Sequence, residues 1–515
     1  MAAQADALTG TYYLEHFEAL LAQVEGRYGD LFIEAEQALL ASFKVLPVDA
    51  RALYVRFLGR RGQAFRQDKL NYPELALPQA LASLEAAGFI AAAPPTTALL
   101  ALLTKAELAQ LFGLDARQKR LDLLAQAEAL PFPALPFHIW QLRFEDFFRR
   151  CLLLYFGNPY QDLSEFVVTA LEHVRYEAYA LDVGSRFYRD RGHLERHFAL
   201  AKLAQELEAT EEAELPALAT SWPEGDDRRW QKLTLALARR LERAGATAQA
   251  LAFYAKTPLP PSRERQVRLI QKQAGDQAAW QALAPVLQGP MDASEQDFIE
   301  CFGQRLAKKL GQQLPAAPVS AVAEEVRPLP AGKGSVELKA LQYFQAGVHG
   351  ENQLLTGLFG LLFWDIVFAP VPGAFFHPFQ RGPQDLFSPD FTEKRRALIE
   401  ARLKEIEGDW LPRAQACRRQ KQGITNALVH WPFWTEESLE LAGAIPGAHL
   451  AAWFRHFLSD PRHHRSGFPD LLVLEEGGYA LVEVKGPGDR LQPGQKRWLR
   501  ELIRLGHPAR VLHLK

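Results

Sequence analysis

Near its end the chain reads Phe468-Pro469-Asp470, then twelve residues, then Glu483-Val484-Lys485. This is the feature that most restricts the fold. Between the acids lie an apolar run, Leu471-Leu472-Val473-Leu474, a Glu476-Gly477-Gly478 turn, and a second run, Tyr479-Ala480-Leu481-Val482. Two short apolar runs around a Gly-containing turn predict a β-hairpin, with Asp470 opening one strand and Glu483 near the end of the other. Antiparallel pairing then sets the two carboxylates side by side. Strand alternation puts Glu483 and Lys485 on one face and turns Val484 into the core. Two carboxylates with a backbone carbonyl, that of Val484, suit a hard divalent cation, Mg²⁺ or Mn²⁺. Such a cation polarises a phosphoryl oxygen and acidifies water, and an adjacent lysine orients the water or neutralises developing charge. An isolated Glu-x-Lys would be an ordinary solvated tripeptide. The preceding Pro-Asp, the hairpin and the following Gly-Pro-Gly-Asp turn raise this one above that reading.

The 515 residues allow three or four domains. A hydrophobic content of 48% supports real cores, and a charged content of 23% is that of a soluble protein. Net charge is only −2, so any nucleic-acid surface has to come from local basic patches. Three cysteines, Cys151, Cys301 and Cys417, are far apart and form no Cys-x-x-Cys, which argues against a zinc ribbon or disulfide framework and fits a reducing cytoplasm. The first residues carry no signal-peptide pattern. Leu354 to Phe368 is too short to span a bilayer and holds Asp365, so a buried helix and no membrane association are expected.

Helical periodicity dominates the first two thirds. Thr11 to Arg27, Gln37 to Phe43 and Leu53 to Phe65 read as helices, the last bearing Arg56, Arg60 and Arg61, with Arg66 and Lys69 just beyond. Pro78 to Ile90 reads as a helix stopped by Gly88. Thr104 and Glu107 form a capping-box pattern, Gly113 ends that helix, and a second helix follows with Arg117, Lys119 and Arg120. From Tyr188 to Gln313 the pattern is a solenoid-like helical array without a strict repeat. A Pro- and Ala-rich stretch follows. The expected organisation is an N-terminal helical DNA-binding domain over 1–95, a basic helical module with connecting helices over 96–187, the array over 188–313, a linker over 314–335, and a catalytic domain over 336–515.

Within that last domain, Glu351 opens the helix at Leu354. It reads equally as an acid favoured by the helix dipole and as a third metal-site carboxylate. Asp365, inside an apolar helix, needs a partner, which a structural cation could supply. Gln492 to Leu505 reads as a helix with Gln495 and Lys496 near its start, where a phosphate could be held. Arg510 to Leu514 reads as a last strand. Helix, hairpin, helix, strand is a restriction-endonuclease-like α/β core, so the whole is a multidomain α plus α/β protein.

Gly467-Phe468-Pro469-Asp470-Leu471-Leu472 and Val482-Glu483-Val484-Lys485-Gly486-Pro487-Gly488-Asp489-Arg490-Leu491, with Gln495 and Trp498, resemble a VRR-NUC domain of the PD-(D/E)xK nucleases. The segment from Gly373 to Phe387 and the early Phe57-Leu58-Gly59-Arg60-Arg61 with Phe65-Arg66 resemble the Fanconi-anaemia-associated nuclease family, in a bacterial version. The helix, Gly-Leu, basic-helix outline at 103–121 resembles a SAP module, and the array resembles tetratricopeptide pairs.

The resemblance implies that Glu351, Asp470 and Glu483 bind metal, with Lys485 as the catalytic lysine. It implies a structure-specific endonuclease that cuts near 5′ flaps, trims 5′ to 3′ and helps unhook interstrand crosslinks. DNA is the expected partner, with a homodimer on DNA open, in a cytoplasmic, nucleoid-associated setting. Two departures stand out. No zinc-finger segment precedes the N-terminal domain, so recruitment through ubiquitin is not implied. Gly494 replaces a lysine found before the motif's glutamine in some eukaryotic members, which puts a like 5′-phosphate pocket in doubt. Candidate DNA contacts are Arg60, Arg61, Arg66, Lys105, Arg117, Lys119, Arg120, Gln495 and Lys496, with a further basic run over Lys394 to Lys421 and His463 and His464 beside the site. A Holliday-junction resolvase and a non-catalytic DNA-structure-binding scaffold are the alternatives.

Overall fold

The computed structural model describes residues 11–60, 62–94, 96–161, 174–315 and 322–515. Arg61 lies outside them. The chain divides into two compact units, one of residues 1–173 with 188–198, the other of 174–187 with 199–515.

In the first unit, helices Tyr12–Tyr28, Glu34–Lys44 and Val48–Leu58 precede a small antiparallel sheet. Its strands are β1 (Ala64–Arg66), β2 (Ile90–Ala92) and β3 (Ile139–Leu142), in the order β1-β3-β2. The helix expected to run to Phe65 therefore stops at Leu58, and Phe65 enters the sheet, its ring stacked 4.6 Å from Phe57. Phe17, Phe43, Tyr54, Phe89 and Phe148 interlock as the core, and the Tyr54 hydroxyl donates to Arg143 O at 2.6 Å. An aromatic core of this kind needs its hydroxyl satisfied, and here it is. The basic module is a helical hairpin, Lys105–Phe112 and Arg120–Glu128, around Leu108 and Leu123. The Thr104/Glu107 capping box forms, and Gly113 closes the first helix with φ 66°.

The second unit holds the helical array from Ala199 onward. Helices Leu215–Thr220, Arg228–Arg243 and Thr247–Ala255 bury Trp222, Trp230, Leu237 and Phe253, and Trp222 Nε1 donates to Thr234 Oγ1 at 3.1 Å. Helix Ser262–Gln288 breaks at Gly275, where φ is 83°.

The C-terminal sheet has five strands: β4 (Ala323–Arg327), β5 (Ala346–His349), β6 (Leu471–Glu475), β7 (Gly478–Lys485) and β8 (Ala509–Leu514), in the order β4-β8-β7-β6-β5. β5, β6 and β7 pair antiparallel; β7 pairs parallel with β8, and β8 with β4. The segment expected as a linker thus supplies an edge strand. Helix Pro493–Arg504 makes the crossover that a parallel β7–β8 pair requires. One face of the sheet packs Leu472 and Leu481 into a large core with Leu355, Phe359, Phe454 and Trp498. The other sets Val473, Val482 and Val484 against Ala340 in a smaller one. The apolar stretch read as a buried helix is helix Glu351–Leu362 followed by Trp364–Val367. Among the described residues no helix is long and apolar enough to cross a membrane.

Candidate active site

The hairpin register pairs Leu471 with Val482, which sets Asp470 and Glu483 across from each other at its open end. The Val484 amide donates to Asp470 Oδ2 at 2.8 Å, fixing that carboxylate against β7. The Asp470 carbonyl accepts from the amides of Gly350 and Glu351, at 2.9 and 3.0 Å. The start of helix Glu351–Leu362 is therefore clipped to the aspartate. Glu351 adopts φ 40°, a left-handed conformation that costs a non-glycine residue energy and marks functional sites. Asn352 braces it, donating to Glu351 Oε1 at 3.2 Å while its own Oδ1 accepts from the Gly467 amide at 2.9 Å.

Glu483 is fully buried. Its Oε1 lies 2.8 Å from Lys485 Nζ as an ion pair, yet neither carboxylate oxygen accepts a well-directed hydrogen bond. Burial pushes its carboxyl up to about 8, reinforced by the charge of Asp470 and opposed by Lys485. Asp470 is also raised by burial, against the pull of the Val484 amide and Lys485. A part-buried and a fully buried carboxyl side by side, with Lys485 as the paired cation, concentrate negative charge in a setting that a divalent cation would suit. The donor set of Asp470, Glu483 and the Val484 carbonyl is hard oxygen, as Mg²⁺ or Mn²⁺ requires. Among the described residues no three His, Cys, Asp or Glu side chains are already gathered around one point, and Glu351 is exposed. Glu351 thus has its backbone fixed beside Asp470, with its exposed carboxylate bonded to Asn352.

Lys485 is held from a second side. Its Nζ donates to Gln495 Oε1 at 3.0 Å, and the same oxygen accepts from the Gln492 amide at 2.9 Å. Gln495, expected at a DNA surface, thus carries the lysine, while Lys496 beside it is exposed. Glu337 was not singled out by sequence. Burial raises its carboxyl, but Ser335 and the charges of His349 and Lys485 outweigh that and leave it below its ordinary value. Its nearest signal was position alone, just past the Pro- and Ala-rich segment.

The remaining candidates separate by burial. Arg60, Lys105, Arg117 and Lys119 are exposed, and Arg120 is exposed with Nη2 donating to the Ala101 and Leu103 carbonyls. Arg66 is not a surface contact: it is buried, paired with Asp68 and Glu107, with its guanidinium over Phe137. The basic run at 394–421 is three helices whose charges are largely spent internally. Arg395 pairs with Asp385, Arg402 with Asp365, Arg413 with Glu405, and Lys421 with Glu177. Asp365 therefore has the structural partner it needed. His464 is buried and His463 pairs with Asp460, so neither is a free loop histidine.

A mixed sheet presenting a hairpin aspartate, a buried Glu-x-Lys and a lysine-holding glutamine defines a nuclease of the PD-(D/E)xK class. Comparison with known proteins agrees. The VRR-NUC domain model matches residues 407–515, and the model described as FAN1, HTH domain matches residues 11–91. The Fanconi-associated nuclease 1 homolog of Pseudomonas aeruginosa is 36% identical over 98% of this chain and 96% of its own length. Human Fanconi-associated nuclease 1 is 37% identical over 35% of this chain and 19% of its own. The crystal structures of paFAN1 bound to DNA with a two-nucleotide or a one-nucleotide 5′ flap and a gap are alike in fold. Their TM-scores are 0.82 and 0.84, at 34% and 33% identity, each over 98% of this chain and 98% or 99% of theirs. The chain belongs to the Fanconi-associated nuclease 1 family and is a metal-dependent DNA nuclease.

Proposed function

We propose that this nuclease is a structure-specific endonuclease that cuts near 5′ flaps, trims 5′ to 3′, and serves the repair of DNA interstrand crosslinks. The observation that carries the reading is the fully buried Glu483 carboxylate, set beside Asp470 and ion-paired to Lys485. Its setting is a chain alike in fold, over nearly its whole length, to paFAN1 bound to flap DNA. Asp470, Glu483 and the Val484 carbonyl would hold Mg²⁺ or Mn²⁺, with Glu351 closing on the ion as a further ligand. When bound, the ion supplies Lewis-acid stabilisation of the phosphoryl oxygens and acidifies water.

The chain's own residues do the rest. Lys485, aimed by Gln495, orients the attacking water in line with the scissile bond and offsets charge on phosphorus. The Val484 amide keeps Asp470 turned to the site. Asn352 and the Asp470 carbonyl keep Glu351 within reach of it. In-line attack leaves a 5′-phosphate and a 3′-hydroxyl. The exposed cations of the first unit, Arg60, Lys105, Arg117 and Lys119, are proposed to track the DNA backbone, which a shape-reading nuclease uses more than base edges.

The test is cleavage of a 5′-flap duplex labelled on each strand in turn, with Mn²⁺, with EDTA, and with Asp470→Ala. Cutting near the junction is expected with Mn²⁺ only, and Asp470→Ala abolishes it while DNA affinity persists. Persistent metal-dependent cutting by that variant would remove Asp470 from the mechanism.

A further inference from the structure

We propose that Arg497 is a positioning residue of the reaction, and that an ion-paired ladder between the helical array and helix Pro493–Arg504 keeps the catalytic lysine in register. The proposal rests on the reading of Lys485 given above.

The ladder follows from spacing. Helix Pro493–Arg504 turns Trp498, Leu499 and Leu502 into the core. Arg497 and Arg500, one turn apart, point away from it. Their partners are Asp297 and Glu300, separated by the same three residues, at the end of helix Ala293–Phe298 and the turn after it. Arg500 Nη1 meets Glu300 Oε2 at 2.8 Å. Two pairs at equal spacing fix sliding between the helices, which one pair would not.

The same array helix holds the other side of the site. The Ala293 amide donates to Asp460 Oδ2 at 3.0 Å. His463 bridges the two segments, its Nδ1 3.0 Å from Asp460 Oδ2 and its Nε2 3.8 Å from Asp292 Oδ2. Arg497 Nη2 reaches the His463 carbonyl at 3.5 Å, and Trp498 Nε1 donates to the His464 carbonyl at 2.9 Å. Residues 460–464 lead directly into Gly467 and Asp470. Thus the loop that delivers Asp470 and the helix that delivers Gln495 are both tied to helix Ala293–Phe298.

The four ladder side chains are only 14–23% exposed, and a pair this far out of water gives back in desolvation much of what it gains in attraction, so its net contribution to stability is small. Geometry is the better account of two ion pairs and the Asp292–His463–Asp460 bridge on one seam, because catalysis is sensitive to displacements of about 1 Å. One side of the seam opens into a cavity of about 440 Å³ lined by Met291, Gln296, Arg497 and Arg500, which leaves room for altered side chains.

The experiment is steady-state cleavage of a 5′-flap duplex by the full chain, with DNA affinity and melting temperature measured on the same preparations. The variants are Arg497→Gln, Asp297→Asn, Arg497→Lys, the exchange Asp297→Arg with Arg497→Asp, and Lys485→Ala as control. Each neutralising variant is expected to lower kcat about tenfold, a fraction of what a 1 Å misplacement costs, with KM and DNA affinity nearly unchanged. Arg497→Lys and the exchange variant are expected to recover most of that loss. Unchanged kcat in both neutralising variants overturns the proposal. So does a kcat loss that follows melting temperature and is recovered by neither Arg497→Lys nor the exchange. If Lys485→Ala itself retains kcat, the reading of the site fails. If it is inactive while Arg497→Gln is normal, the ladder alone fails.

Discussion

At the scale of single residues, the largest electrostatic perturbation of the candidate site falls on the buried Glu483. Unfolded, its carboxyl titrates near 4.5; folded, burial and Asp470 raise it to about 8. Between those values the folded protein keeps a proton that the unfolded chain has released. Stability from this group is therefore full below about 4.5 and is lost as pH rises toward and through 8. In EDTA, melting temperature is expected to fall between pH 6 and pH 9, by the equivalent of about 1 kcal/mol or more. Mn²⁺, binding only the folded ionised form, abolishes the fall. An equally steep fall in Glu483→Gln would place the titration elsewhere. Asp470, Glu483 and Lys485 were legible because a Pro-Asp, a hairpin and a Glu-x-Lys are local patterns. Asn352 and the lysine-holding role of Gln495 were not, since a sequence names a polar group without naming its partner. Arg66 shows the same limit from the other side: its charge was visible, but its burial between Asp68 and Glu107 was not.

At the scale of elements, turn chemistry made the β6–β7 hairpin, the capping box at Thr104 and the stop at Gly113 readable. The three-residue strands β1 and β2 are too short to show a period of two. Strand β4 is an edge strand in which no residue is buried, so it carries no apolar alternation and reads as linker. One element junction is sterically exacting. Gly467 sits at φ 87°, and a Cβ there would lie 2.6 Å from the Gly494 carbonyl carbon and 2.8 Å from the Gln495 amide nitrogen. Only glycine lets the loop before Asp470 touch the first turn of the helix that holds Lys485. Gly467→Ala is expected to cost about 2 kcal/mol, from the positive φ and the forced separation, and to lower kcat more than DNA affinity. Urea unfolding alongside flap cleavage checks it; wild-type kcat in the variant would show that loop and helix need not touch.

At the scale of the whole molecule, charge frames how DNA is held. A net charge of −2 over 515 residues gives no general attraction to a polyanion, so affinity has to come from a few placed cations. The structure narrows them. Arg66, Arg395, Arg402 and Lys421 are engaged by carboxylates of the chain itself, whereas Arg60, Lys105, Arg117 and Lys119 stand in solvent on the first unit. Each phosphate contact releases counterions, so the logarithm of affinity falls linearly with the logarithm of salt, by about 0.9 per contact on duplex DNA. If these four residues hold phosphates, replacing all four with glutamine flattens the slope by roughly 3 to 4. Arg395→Gln and Arg402→Gln are expected to leave the slope alone and to lower stability instead, the first because it strands the buried Asp385 carboxylate, the second because it empties the buried site of a guanidinium that donates to the Leu362 carbonyl. At saturating DNA the fourfold variant is expected to keep its kcat, since the residues proposed to cleave, Glu351, Asp470, Glu483 and Lys485, all lie in the second unit. An unchanged slope in the fourfold variant would move the DNA path off the first unit.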